Sequence, residues 1–373
     1  MRLGRFLPIS LPLERRDDTA VPATALVAFV FLVSCTYETN FPDCTVRCSV
    51  QVGCPDDLTC GAEGLCRVDG ASATCVMQNG PLSCIGLGKT CGPNHDEDCC
   101  DSRQIPGGTF FRSFDVSSDG MYTSMGDPAT VSQFTLDRFE VTVGRFRNFV
   151  ETGGGTRATA PTAKAGGRLL GGIPNQGGWE SGWTTSLSAD TSSLIASLKC
   201  GADATWTDAA GDNEQLPMNC VTWYEAFAFC VWDGGFLSTE AEWNFAAAGG
   251  DEQRVYPWSM PANSATLDCA HANFDACGRA AKRVGSAPAG DGRWGHADLA
   301  GNVWEWTLDH YGTYPAPCED CANLAVTDPR RTNRGGSFNF DAARLRAAFR
   351  GFENPLPPYA SIGFRCGRSP DAP

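Results

Sequence analysis

Histidine is scarce in this chain of 373 residues: four occur, at positions 95, 271, 296 and 310, scattered through polar segments. No H-E-x-x-H, no paired C-x-x-C and no cysteine-to-histidine spacing gathers them with other ligands, so zinc is excluded as the organising chemistry. G-x-S-x-G and a phosphate-cradling glycine loop are absent too, which removes the serine-hydrolase and P-loop readings. His271 and His310 read as satisfied surface residues rather than bases. Positive charge is also short. With 29 Lys and Arg against 43 Asp and Glu, the net charge of −14 repels nucleic-acid phosphates and offers no electrostatic route onto an anionic bilayer, while it suits divalent cations. No nucleic acid is expected among the partners. Long regular elements are excluded by 42 glycines and 23 prolines. The last absence is local: the chain has 19 cysteines, yet none falls between Cys321 and Cys366.

Thiols in such number, without metal spacing, read as disulfides formed in an oxidising compartment. The amino terminus supplies a route there. Arg2, Arg5, Arg15 and Arg16 precede "AVPATALVAFVFLVSC" (residues 20–35), an apolar run too short to span a membrane comfortably as a mature helix and ending in small residues. That is an export signal. Leu32-Val33-Ser34-Cys35 resembles a bacterial lipobox, so residues 1–34 are expected to be a leader and Cys35 the acylated first residue of a membrane-anchored envelope lipoprotein; a plain secretory signal is the alternative. Setting Cys35 aside from the 19 leaves 18, an even number that can pair completely.

The mature chain changes texture near residue 105. Ten cysteines lie between Cys44 and Cys100 among Gly, Pro, Asp and Asn, with almost no apolar periodicity, so residues 35–104 are expected to be a small module held by cross-links rather than by a core. Its acidic run "CGPNHDEDCC" lacks EF-hand spacing and reads as a solvated turn. Residues 105–373 carry tryptophans and short apolar runs. Three helices are marked by caps: Thr142 before "VGRFRNFVE", Thr222 with Glu225, and Thr239 with Glu242, each ending near glycines. In the second of these, Trp223, Ala226, Phe227 and Cys230 share a face, which buries Cys230. "VSQFTLDRFEV" and "RLRAAFRGF" alternate as strands do, and residues 153–182 read as long loop. Cys200 with Cys220 and Cys269 with Cys277 are plausible local pairs.

Seven segments then fall in a telling order: "IPGGTFFRSFD", "DRFEVTVGRFRNFV", "LPMNCVTWYEAFAFCVWDGGFLSTEAEWNFAAAGG", "YPWS", "GNVWEWTLDHY", "RGGSFNF" and "GFRCGR". Over about residues 105–368 the chain resembles the formylglycine-generating-enzyme, or sulfatase-modifying-factor, family. The resemblance implies an α+β fold, related to the C-type lectin fold, with little regular secondary structure. It implies a disulfide between Cys230 and Cys366. It also implies a calcium site at "DLAGNVWEW", with Asp298, Glu305 and the carbonyls of Gly301 and Val303 as ligands, and a partly matched second site at Asn273 and Phe274 that Cys277 interrupts. A turn capped by Asn302 and packed by Trp304 and Trp306, with no ion, is the alternative.

Catalytic members oxidise a client cysteine to formylglycine with a pair of cysteines that hold Cu(I) just after R-G-G-S. Here the first of those positions falls on Phe340 and the second on Leu345 or in a short deletion, so copper is not an expected cofactor, since soft thiolates are what Cu(I) selects. Cys318 and Cys321 could supply a displaced thiol pair or be a disulfide. The reading that follows is a non-catalytic binding module for a protein, peptide or glycan, using a groove beside Phe340, Arg344, Arg346 and Arg350. A diverged oxidoreductase acting on a sulfatase or another exported protein is the alternative.

Overall fold

The computed structural model describes residues 81–369, and in the unit that ends at Met77 a short antiparallel hairpin of Leu58–Cys60 with Cys66–Val68. The leader, Cys35 and most of the cysteine-rich segment lie outside the described residues.

The unit that begins at Gln78 is α+β, with short elements joined by long ordered loops. One four-stranded sheet is antiparallel in the order Phe236–Leu237, Cys366–Arg368, Phe134–Asp137, Ser102–Ile105. A second runs Gly351–Glu353, Arg331–Arg334, Trp304–His310, Ile362–Gly363, with the last strand parallel to its neighbour. Four helices pack around them: α1 (Val143–Glu151), α2 (Thr191–Ser197), α3 (Trp223–Trp232) and α4 (Glu240–Ala247).

The caps read in the sequence form. Thr142 Oγ1 accepts from the Arg145 amide at 3.3 Å. Thr222 and Glu225 exchange two bonds at 3.2 and 2.9 Å, and Thr239 and Glu242 exchange two at 3.1 and 2.8 Å, closing the orphan amides of α3 and α4. Helix α2, capped by Asp190 on the Ser193 amide at 2.7 Å, went unread because it lies in polar sequence with one short apolar stripe. "RLRAAFRGF" is not a strand: Asp341 caps a 3₁₀ turn over Ala342–Leu345, and only Gly351–Glu353 joins the sheet. Residues 153–182 hold a hairpin, Arg168–Leu170 with Ile173–Gln176.

Helix α3 is buried nearly all round, Tyr224 excepted within Trp223–Cys230, because α1, the indoles of Trp179 and Trp183 and the sheets enclose it. Phe229 stacks on Phe146 at 5.5 Å and meets Phe364 edge-on at 5.3 Å. Two central indoles are satisfied, Trp223 Nε1 donating to the Thr307 carbonyl at 2.8 Å and Trp306 Nε1 to that of Val221 at 3.2 Å, whereas Trp206 Nε1 is buried without a partner.

The break expected between residues 104 and 105 falls inside this unit. Ser102–Ile105 is an edge strand of the first sheet, Ser83 N donates to Asp233 at 2.7 Å, and Arg145 Nε donates to Ser83 Oγ at 2.8 Å. Residues from 81 onward therefore belong with the larger unit, secured by Cys84–Cys100 and Cys91–Cys99. The other disulfides are Cys200–Cys220, Cys230–Cys366, Cys269–Cys277 and Cys318–Cys321. Such a set belongs to a chain that matures in an oxidising compartment. Among the described residues no helix is long and apolar enough to cross a membrane.

Cys230–Cys366 closes 136 residues and joins α3 to the first sheet. Replacing both cysteines by alanine should lower unfolding free energy by about 3–5 kcal/mol, read as a fall in the denaturant midpoint. An unchanged midpoint would show that α3 is held by packing alone.

Candidate functional site

The strand Arg331–Arg334 runs straight into the turn that shapes the groove. Gly335 and Gly336 take φ of 97° and 77°. A Cβ at Gly336 would stand 2.8 Å from Leu345 Cδ1 and 3.0 Å from the Arg344 carbonyl, so glycine is required there both by backbone and by space. Ser337 Oγ then donates to Asn339 Oδ1 at 2.7 Å, and the chain presents Phe340 edge-on to Trp304, ring centres 5.6 Å apart.

Phe340, Trp304, Phe349, Tyr359, Glu353 and Arg344 are among the residues that line a groove of about 300 Å³. Phe340 and Leu345, onto which the resemblance maps the family's cysteines unless a short deletion removes the second, part company here. Phe340 faces the groove, whereas Leu345 is fully buried with Val255, Tyr256, Phe274 and Ala300. The arginines also divide. Arg344 lines the groove, 5.1 Å over the Phe340 ring, with its charge held by Asp341 at 2.7 Å. Arg350 lines it too, but its guanidinium grips Glu240 through Nε and Nη2, both at 2.6 Å. Glu240 also holds Arg334 at 2.7 Å; burial works against its charge, and the two arginines outweigh that and keep its pKa below the ordinary range.

Arg346 does not line the groove, contrary to the expectation from sequence. It is buried on another face, paired with Asp119 and 3.5 Å from Asp115. The reason is the irregular chain after the 3₁₀ turn, which does not keep the alternation a strand would impose. Sequence reasoning missed Trp304, Phe349, Glu353 and Tyr359 as groove residues, since they come from three separated segments with no local signal. No histidine or cysteine lines the groove. Among the described residues that line it the walls are mostly aromatic and aliphatic, with one carboxylate, that of Glu353.

The turn at Asp298–Glu305 tests the calcium expectation. Among the described residues no turn or loop amide donates to the Gly301 or the Val303 carbonyl, although both residues are buried. Asn273 Oδ1 is buried without a partner. Asp298, at φ 55°, accepts from the Gly285 amide at 2.5 Å, and burial pushes its pKa up to about 6. Glu140, unread in the sequence, accepts from Val303 N at 3.1 Å and Asn302 Nδ2 at 2.6 Å; burial, then Asp298 and Glu305, raise its pKa well above the carboxylate range. Hard oxygens with an excess of buried negative charge fit a divalent cation at Asp298 and the two carbonyls. Glu305 does not fit as a ligand: Arg365 grips both its oxygens at 2.7 and 2.6 Å, and Trp243 Nε1 donates to it at 2.7 Å. Phe274 packs in the same cluster as Leu345, and Cys277 is bonded to Cys269. Among the described residues no three acidic, histidine or cysteine side chains close on one point.

A disulfide-laced α+β unit with a groove beside R-G-G-S defines a class. Residues 89–370 match the sulfatase-modifying factor enzyme 1-like domain, and the chain belongs to that family. It is similar to hercynine oxygenase of Mycolicibacterium smegmatis, 28% identical over 275 residues, 68% of this chain and 57% of that protein. The match thus spans little more than half of that relative's length. The inactive C-alpha-formylglycine-generating enzyme 2 of Mus musculus is 29% identical over 287 residues, 72% of this chain and 86% of that one. The solved structure of PvdO from Pseudomonas aeruginosa shares the fold, with a TM-score of 0.51 at 19% identity over 72% of this chain and 94% of that one.

Because Phe340 and Leu345 face different surroundings, placing cysteines at both should not create a copper site. The F340C/L345C protein, reduced and titrated against a Cu(I) indicator, is expected to match wild type; tight one-to-one uptake gained by the variant would show the geometry to be retained.

Proposed function

We propose that this protein is an exported, lipid-anchored and non-catalytic member of the sulfatase-modifying-factor family, a recognition module that binds a protein, peptide or glycan in the groove beside Phe340. One observation carries the reading. Every cysteine from Cys84 to Cys366 is bonded to another, Cys318 to Cys321 included, so no thiol of the family's kind stands at the groove. The export and anchor rest on the leader and on Cys35, and the disulfides agree with an oxidising destination. Calcium at Asp298, Gly301 and Val303 is part of the proposal, with a structural role: a hard cation bound only by the native state would offset the buried carboxylates.

A diverged oxidoreductase is the second reading, favoured by the similarity to a relative named as an oxygenase. Copper stoichiometry of the purified protein, with turnover of a C-x-P-x-R peptide, separates the two: the binding module takes up no copper above background and leaves the peptide unchanged. Turnover would establish the enzyme.

Two further outcomes are expected. Wild type should partition into the detergent phase of a Triton extraction, and a Cys35→Ser protein should not; a variant still in the detergent phase would remove the anchor from the proposal. Chelation with EGTA should lower the melting temperature, since an ion at about 100 times its Kd contributes about 2.7 kcal/mol. Equal melting with and without EGTA would favour the ion-free turn.

A further inference from the structure

A second cavity, of about 650 Å³, shares no lining residue with the groove beside Phe340. Trp183, Tyr224, Leu324, Val326, His310 and Arg331 are among its walls. Its size is that of pockets that enclose small molecules, typically ~300–1,000 Å³.

Arg331 sets it apart. It opens the strand Arg331–Arg334 and is 3% exposed. Arg145 is matched by Asp137 and Asp233, Arg334 by Glu240 and Arg365 by Glu305, while buried Arg112, which pairs with no carboxylate, spends its donors on the carbonyls of Asp127, Pro128 and Pro315. Among the described residues no carboxylate forms an ion pair with Arg331. Its guanidinium lies 3.7 Å over the Trp223 ring and 5.4 Å from that of Trp183. Nη1 donates to the Leu308 carbonyl at 2.7 Å, while Nε is buried without an acceptor. Asp309 is near but engaged: its oxygens accept from the amides of Glu240 at 2.7 Å and Asn323 at 2.6 Å. Burial consequently pulls the Arg331 pKa down to about 9. An unmatched buried cation with an unused donor edge is costly to keep and is made good by an anion.

The rest of the cavity limits which anion. His310 is neutral, because burial, then Arg331, pull its pKa to about 4. Its Nδ1 faces the Asp328 carbonyl at 3.0 Å and must donate, which leaves Nε2 as an acceptor. Lys164 at the rim is held by Glu180 at 2.9 Å. Among the described residues that line the cavity, Arg331 is the one positive charge without a carboxylate partner, and a single charge suits a monoanion rather than a phosphate dianion, while the aromatic and aliphatic walls ask for an apolar body. We propose that this cavity binds a small organic monocarboxylate, with the guanidinium of Arg331 holding the carboxylate and Trp183, Tyr224, Leu324 and Val326 enclosing an apolar body. A planar fork of this kind meets a carboxylate through two parallel bonds. The inference is independent of the groove and of the oxidase question.

Phenylacetate and indole-3-acetate titrated calorimetrically into the purified full chain are the test, with phenylacetamide and inorganic phosphate as comparators. The carboxylates should bind, and the amide and phosphate should bind at least about 10-fold more weakly. Arg331→Met should abolish the preference for acid over amide without lowering the melting temperature, because it removes an unmatched charge and keeps an apolar stem on Trp223. A purely structural arginine predicts the reverse, lost stability and unchanged binding. If Arg331→Met does not fold, Tyr224→Ala at the wall should weaken phenylacetate about 10-fold. Equal binding of acid and amide by wild type, or no binding of either acid, overturns the proposal.

Discussion

Arg365 and Glu305 are both fully buried and bonded to one another at 2.6 Å. The guanidinium also reaches the carbonyls of Asp137, Arg138 and Ala297 at 3.1, 2.8 and 2.9 Å, while Glu305 takes the Trp243 indole. One pair thus ties the first sheet, the second sheet, α4 and the turn before Trp304. Such a pair adds little net stability over an apolar replacement, but removing one partner typically costs ~3–5 kcal/mol because the other is left charged in a dry interior. Its effect is on register: only one arrangement of these elements satisfies all five donors and both oxygens.

The same logic recurs. Arg145 and Arg368 share Asp137 and Asp233, joining α1 to the end of α3 and to the strand beside Cys366. Arg334 and Arg350 share Glu240, fixing α4 against the start of the groove turn. A unit with few long elements is held by these matched charges, by aromatic packing around Phe229 and by disulfides, so its loops are ordered without regular hydrogen-bond ladders. Arg112 and Arg331 depart from the pattern: carbonyls satisfy the first, whereas the second keeps Nε without an acceptor beside the cavity it lines.

The scaffold around the groove is independent of the side chains that would give it redox chemistry. Gly335, Gly336 and the buried Leu345 keep the turn, and Phe340 against Trp304 fills the space beside it. Thiol chemistry depends on two sulfurs aimed at one point, and here Phe340 lines the groove while Leu345 is buried in a separate cluster. A fold can therefore persist while its reactive pair is absent, which is why the function is argued from the site.

The sequence by itself determined the three capped helices, because Thr222 with Glu225 and Thr239 with Glu242 are local patterns three residues apart that act through the adjoining turn. Ordered motifs and the bare run between Cys321 and Cys366 likewise made the family and the missing cysteine pair legible. Tertiary structure decided the rest. Arg346 turned away from the groove toward Asp115 and Asp119, Glu305 was taken by Arg365, residues 81–104 joined the larger unit, and His310 and Arg331 met Trp183 and Tyr224 across distant segments. Those outcomes follow from which buried charge finds which partner, a choice made by the path of loops that carry no periodicity for a sequence reading to use.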